Sequence, residues 1–215
     1  MMMIGFFRLL PVVFLMLLPL QHSHAEPRFD ESRELVNGLI SRIMEAVNTD
    51  QTPESIRAET NSIIDTYFDY PLIARFAAGN AWRKASKAER DEYMDVFLEV
   101  LLTLAETQFG YLQNLEYTAG DVVPKGPKLV IVTGMVIDKT GEFPDAQVAW
   151  RVSTPKGKPP RIIDIEVENI SMLITQQQEN TAIINSNGGS FKALINALRD
   201  QAAAIRAEAE AAANS

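Results

Sequence analysis

Cysteine is absent, and the only two histidines, His22 and His24, fall within the first 25 residues. The remaining chain therefore has neither residue type, which excludes disulfides, Cys–His and Ser–His–Asp nucleophilic sites and the usual zinc ligands. No carboxylate series has the spacing of a calcium-binding loop. Metal and redox chemistry are not expected, no cofactor is implied, and stability has to come from packing.

Long hydrophobic runs are scarce too. One opens the chain: Arg8 is followed by an apolar stretch over residues 9–20, then a polar segment ending Ser23-His24-Ala25. A single positive charge, a short apolar run and small residues at the last and third-last positions describe a secretory signal. Cleavage after Ala25 would leave a chain of 190 residues starting at Glu26. Residues 4–20 are short against the roughly 20 needed to span a bilayer, and Arg8, Pro11 and Pro19 interrupt them. The expected location is the periplasm. The expected organisation is a signal over residues 1–25, one domain over 26–200, and an alanine- and glutamate-rich tail over 201–215, helical or frayed.

Positive charge is the third scarcity: 20 Lys and Arg stand against 28 Asp and Glu, for a net charge of −8. Removing Arg8 with the signal leaves 19 against 28, or −9. A chain this acidic has no general attraction to nucleic acid or anionic bilayers, so docking to membrane proteins is the expected mode of membrane contact. A monomer is expected.

Apolar residues recur at helical spacing over residues 30–48, through Leu35, Leu39, Ile43 and Val47. Thr52-Pro53-Glu54 starts a second helix with a capping threonine, proline at its first position and an early acid. Asp69 can cap a short third helix that Gly79 closes. Ser86-Lys-Ala-Glu89 is a capping box for a long fourth helix reaching about Gly110, whose second half is apolar nearly all round. The period then changes to two, with strands expected over residues 115–121, 128–138, 146–154 and 161–167. Short turn-rich links imply an antiparallel meander. Helices resume over residues 170–184 and from Ser190, separated by Asn187-Gly188-Gly189, and the chain beyond Ile205 is expected to fray or project. The fold class is α+β: a four-stranded antiparallel sheet flanked by N-terminal and C-terminal helices.

The second strand carries the main hint of function, because it is apolar on both faces. Leu129, Ile131, Met135 and Ile137 lie on one side, with Val130, Val132 and Val136 on the other. The third strand groups Val148, Trp150 and Val152; the fourth groups Ile163, Ile165 and Val167 opposite Ile162, Asp164, Glu166 and Glu168. Such a sheet is either covered by helices twice or covered once while lining a cavity, and periodicity does not separate these. Met44, Met94, Met135 and Met172 suit an irregular apolar wall and equally suit ordinary core. Asp164, Glu166 and Glu168 read as a solvated acidic strip; a paired-carboxylate site is the alternative. Trp82 with Arg83 and Lys84 could grip an anionic group or simply pack at a helix junction. Gly188-Gly189 lacks the spacing of a phosphate loop and reads as a helix stop.

Two strings carry a family resemblance. One is Tyr67-Phe-Asp-Tyr-Pro-Leu-Ile-Ala-Arg-Phe-Ala-Ala-Gly-Asn-Ala-Trp-Arg-Lys-Ala-Ser-Lys-Ala-Glu-Arg90; the other is Asp164-Ile-Glu-Val-Glu-Asn-Ile-Ser171, followed by Asn187-Gly-Gly189 and Leu194-Ile-x-x-Leu198-Arg199. Together they resemble the MlaC family, also called the toluene-tolerance Ttg2D family, over roughly residues 33–199. Asn169 stands where that family usually has glycine, Glu179-Asn180 where glutamate–phenylalanine is common, and Leu98 where an arginine is frequent.

The resemblance implies a non-enzymatic periplasmic shuttle that encloses the tails of a glycerophospholipid in an apolar pocket. It would move lipid between an outer-membrane lipoprotein complex and an inner-membrane ABC transporter, maintaining outer-membrane lipid asymmetry. A hopanoid is the alternative cargo. A small periplasmic enzyme using Asp164, Glu166 or Tyr117 is the alternative activity. At about 0.8 kcal/mol per buried methylene, two tails carry a cost of roughly 20–25 kcal/mol in water, which a preformed pocket removes without catalysis. The expected wall is Phe97, Leu101 and Leu104, with Val130, Val132, Trp150, Val152, Ile163 and Ile165 from the sheet and Met172 beyond it. Tyr93, Trp82 and Arg83 are expected near the mouth.

Overall fold

The computed structural model describes residues 27–213; the expected signal and its cleavage site lie outside them. Helix α1 (Pro27–Val47) is followed by α2 (Pro53–Tyr67) and α3 (Tyr70–Ala77), then a 3-10 turn over Gly79–Arg83 and the long α4 (Lys87–Gln108). A second 3-10 turn leads into strands β1 (Leu115–Pro124), β2 (Leu129–Asp138), β3 (Ala146–Ser153), β4 (Arg161–Val167) and the two-residue β5 (Ile170–Ser171). Helices α5 (Met172–Ser186) and α6 (Phe191–Ala213) complete the order.

The helix starts form where the capping chemistry is. Thr52 accepts from the Ser55 amide while Ser55 answers the Thr52 amide, and Ser86 and Glu89 repeat the arrangement at α4. Each reciprocal pair satisfies two amides that a helix start leaves open. Asp69 accepts from the Leu72 amide and Ser171 from the Ile174 amide.

The strands form an antiparallel meander in the order β1-β2-β3-β4-β5. Val130 lies opposite Val152, and Val132 opposite Trp150. One face of this sheet receives α1. Val36, Leu39, Val130, Val132, Val148, Trp150, Val152 and Ile162 are all buried together there. The other face is open. Met135 is 40% exposed and Val123 39%, and Leu129, Ile131, Thr133 and Ala149 floor a shallow groove of about 480 Å³. The two-sided apolar pattern of β2 thus reflects one packed face and one exposed groove.

Two sequence expectations need correction. The pairing of β3 with β4 slips by one residue between Arg151 and Val152, so Ile163 is an extra residue on β4. Such a bulge puts neighbouring side chains out of strict alternation. Ile162 therefore joins Val152 in the core and is fully buried, instead of sharing a face with Asp164. Asp164 in turn is 7% exposed and does not belong to a solvated strip. Glu168 and Asn169, with φ of 50° and 64°, make the turn into β5, a left-handed conformation that asparagine tolerates better than most residues.

A second core lies among the later helices. Tyr93 is fully buried, stacked on Phe97 with centroids 5.6 Å apart and packed against Phe191; its hydroxyl donates to the Ala74 carbonyl at 3.1 Å. Ala74, Ala77, Ala78 and Ala85 keep the helices close, and Leu194, Ile195 and Leu198 of α6 close the far side. Helix α6 continues to Ala213. Ala202 is buried, and Arg206 bonds Glu99 and Thr103 of α4, so the segment just past residue 200 packs on α4.

Gly134 of β2 exists for a close approach. A Cβ there would sit 2.3 Å from the Tyr117 hydroxyl oxygen and 2.4 Å from its ring, and that ring is edge-on to Trp150 at 6.4 Å. Gly134→Val should cost about 1–3 kcal/mol through overpacking. A lowered urea midpoint checks this, and Tyr117→Ala in the same chain should recover part of it.

Candidate functional site

The two cores meet along a seam, and the seam is not filled. A cavity of about 290 Å³ lies there, lined by Ile64, Phe68, Tyr70, Ile73, Phe97, Leu101, Ile163, Asp164, Ile165, Met172, Leu173 and Gln176. Ile64 and Phe68 come from the end of α2, Tyr70 and Ile73 from α3, and Phe97 and Leu101 from α4. Met172, Leu173 and Gln176 belong to the first turns of α5. The bulge on β4 supplies the floor, and the Phe68 backbone bridges to Ile162 beside it, with the Asp69 amide donating to the Ile162 carbonyl at 2.9 Å.

Its few polar groups are already engaged. The Tyr70 hydroxyl donates to the Met94 carbonyl, and burial, reinforced by the Asp95 charge, raises the phenol far above its ordinary value. Asp164 accepts from the Ser171 hydroxyl at 2.6 Å, the Leu173 amide at 3.0 Å and its neighbour's amide, that of Ile165, at 2.8 Å. Arg151 lies 3.9 Å from it while bonding Glu166 at 2.9 Å. Gln176 donates to Asn180, whose own amide caps the Ala77 carbonyl at 3.0 Å. Among the described residues no cluster of three His, Cys, Asp or Glu side chains could hold a metal ion. A void walled by Ile, Leu, Phe and Met, with its polar atoms tied back into the protein, suits an apolar guest.

Of the residues singled out from the sequence, Phe97, Leu101, Ile163, Ile165 and Met172 meet at this cavity. Val130, Val132, Trp150 and Val152 are packed against α1 instead. Tyr93 is sealed in the helical core, and Leu104 is 38% exposed on α4. Trp82 and Arg83 line a separate surface depression with Leu72, Arg75, Phe76 and Gln177. There Arg90 covers the indole at 5.5 Å, and Arg83 bonds Asn80 at 2.8 Å. Sequence reasoning missed the α2–α3 contribution of Ile64, Phe68, Tyr70 and Ile73, although Phe68, Tyr70 and Ile73 lie inside the first of the two family strings. Asp164 and Ser171 open and close the second string, and a hydrogen bond joins them.

An ion-pair cluster ties α2 to α4 and α4 to α6. Arg57 of α2 bonds Glu99 of α4 and, at 3.0 Å, Glu106; Arg206 of α6 also bonds Glu99. Burial alone would raise the Glu99 carboxyl, but the hydrogen bonds and charges of Arg57 and Arg206 outweigh it and hold it below the ordinary glutamate value.

A family model described as "MlaC protein" matches residues 33–200. The chain belongs to the MlaC family. A comparison with curated proteins gives no match. Among solved structures, the MlaC-family chain here is similar in fold to a phospholipid-binding protein from Ralstonia solanacearum, determined in complex with a phospholipid. The TM-score is 0.67 at 15% identity, covering 81% of this chain and 98% of that one. At that identity the likeness shows the fold.

Proposed function

We propose that the protein is a periplasmic, non-enzymatic carrier of glycerophospholipid that holds the acyl tails in the seam cavity between its two cores. The observation that carries this is the apolar cavity, found in an MlaC-family chain whose fold matches that of a protein with phospholipid bound. In this reading it ferries lipid between an outer-membrane lipoprotein complex and an inner-membrane ABC transporter, after export and removal of residues 1–25. Phe97, Leu101, Ile163, Ile165 and Met172 would touch the tails.

A volume of about 290 Å³ lies just below the roughly 300–1,000 Å³ typical of small-ligand sites. Two long tails need more, so loading must part the helical core from the sheet core. The seam allows this at low cost because it divides two separately packed units. The test is organic extraction of protein purified from the periplasm, followed by mass spectrometry. Diacyl lipid near one per chain is the expected result; a protein that neither carries lipid nor takes it up from vesicles would overturn the proposal, and a hopanoid mass would change the cargo.

The Arg57–Glu99–Glu106 cluster would restrain that opening. Its side chains are 19–36% exposed, so each pair is worth only about 0.2–1 kcal/mol. Arg57→Ala should therefore raise the rate of lipid exchange about fivefold at neutral pH. A carboxylate held below its ordinary value stabilises the closed form above that value and loses the effect as pH falls through its own lower one. Wild-type exchange should thus accelerate below the ordinary glutamate value and approach the Arg57→Ala rate. Fluorescent-lipid transfer between vesicles checks both.

A further inference from the structure

The net negative charge conceals a strong separation along the sheet. The β1–β2 link reads Pro124-Lys-Gly-Pro-Lys128 and the β3–β4 link Pro155-Lys-Gly-Lys-Pro-Pro160. In an antiparallel meander both emerge at the same end, and here they lie side by side: the Thr154 amide donates to the Lys128 carbonyl at 2.9 Å. Each turns at a glycine of positive φ, Gly126 at 90° and Gly157 at 76°, between flanking prolines that stiffen it. Lys125, Lys128, Lys156 and Lys158 are all exposed. Among the described residues none of the four has an ion-pair or side-chain hydrogen-bond partner. By contrast Arg42, Arg57, Lys87, Arg151, Lys192, Arg199 and Arg206 each hold a carboxylate. Arg28 and Glu31 also line the depression between the loops, and their charges offset one another.

The opposite end of the same strands is acidic, with Glu116, Asp138, Glu142, Asp145 and Glu168 against Lys139. Strand β2 has ten residues, which separates the two ends by about 30 Å. That is several times the roughly 8 Å over which charge is felt at physiological salt. The acidic end therefore cannot cancel attraction at the lysine end, and it turns the molecule lysine end first toward an anionic surface.

We propose that these two lysine loops are the surface by which the protein settles on a bilayer containing anionic phospholipid. The chemistry favours a bilayer over a protein partner. Lysine ammonium groups are hydrated point charges suited to a diffuse anionic surface, whereas protein interfaces favour the arginine forks and aromatic anchors that both loops lack. The contact is peripheral: four lysines on stiff loops, with no aromatic side chain to insert. It revises the expectation, drawn from net charge, that the chain has no attraction for anionic membranes, and it does not depend on the cavity being occupied.

The test is co-sedimentation of the wild-type chain with vesicles of phosphatidylglycerol in phosphatidylcholine, and with pure phosphatidylcholine, at low salt. Binding to the first and not the second is expected, with release at 1 M salt, where the screening length falls to about 3 Å. Each lysine near the surface is worth about a fivefold change in partitioning. Lys156→Gln/Lys158→Gln should therefore weaken binding about 25-fold. Lys87→Gln/Lys139→Gln removes the same charge elsewhere and should leave binding unchanged. Equal loss in both double variants, equal binding to neutral vesicles, or no binding of the wild type to the anionic vesicles overturns the proposal. The last result would hold even if the loops then proved to bind an acidic protein. All four lysines are exposed, so the variants should fold, and an unchanged thermal midpoint verifies that.

Discussion

Replacing Leu101 by glutamate is expected to empty the cavity while leaving the protein folded. Leu101 is partly buried at the edge of the helical core and faces the void. In the empty protein a glutamate there can turn toward water along the seam, so the fold tolerates it. Acyl chains in the cavity would trap the carboxylate against hydrocarbon, and burying an unpaired ion costs several kcal/mol even after relaxation. At 1.4 kcal/mol per tenfold, affinity for the lipid should fall at least 100-fold. Extraction and mass spectrometry read the lipid, and circular dichroism reads the fold. Val132→Glu provides the contrast. Val132 is 1% exposed and packed in the core with Val36 and Leu39 of α1, so its charge should unfold the chain. A Leu101→Glu protein that remains folded and fully loaded would remove the seam cavity as the lipid site.

The difference between these two positions also marks how much of the site could be read from sequence. Both looked like pocket wall, because both are apolar residues on amphipathic or two-faced elements. Periodicity reports which side of an element is away from water; it does not report whether a partner fills the space. Val132 meets Val36 and Leu39 of α1, whereas Leu101 meets a gap, and only the placement of α1 separates them. The elements themselves were legible, since capping boxes, glycine stops and the change of period from 3.6 to 2 are local signals. The bulge was not. Ile162 and Ile163 are both isoleucine, so an alternation read across them runs on unbroken, and the slip that puts Ile162 in the core leaves no trace in hydropathy. The separation of charge was equally hidden, because a sum over the chain discards position, and the two lysine loops become neighbours only once the strands pair.

Asp164→Ala is expected to destabilise the protein by about 3–5 kcal/mol, through the hydrogen-bond donors it leaves without an acceptor. The carboxylate is the junction between β4 and α5. Its loss strips the acceptor from the Leu173 and Ile165 amides and from the Ser171 hydroxyl, and each buried donor left unsatisfied costs about 1–3 kcal/mol. Arg151 keeps Glu166, so its charge is not stranded, and this limits the loss. Asp164→Asn retains one oxygen and should fall between the alanine variant and wild type. Glu166→Ala removes only a half-buried partner on the open face of the sheet and should cost under about 1 kcal/mol. Urea unfolding ranks the three. The consequence for function follows from where α5 starts: Met172, Leu173 and Gln176, three of the cavity's lining residues, ride on the turn that Asp164 holds. Conditions that leave Asp164→Asn folded should therefore show faster lipid loss than wild type, while Glu166→Ala, equally folded, should retain its lipid. Equal retention by both variants would mean that the first turn of α5 is fixed by packing alone and that the buried carboxylate plays no part in shaping the cavity.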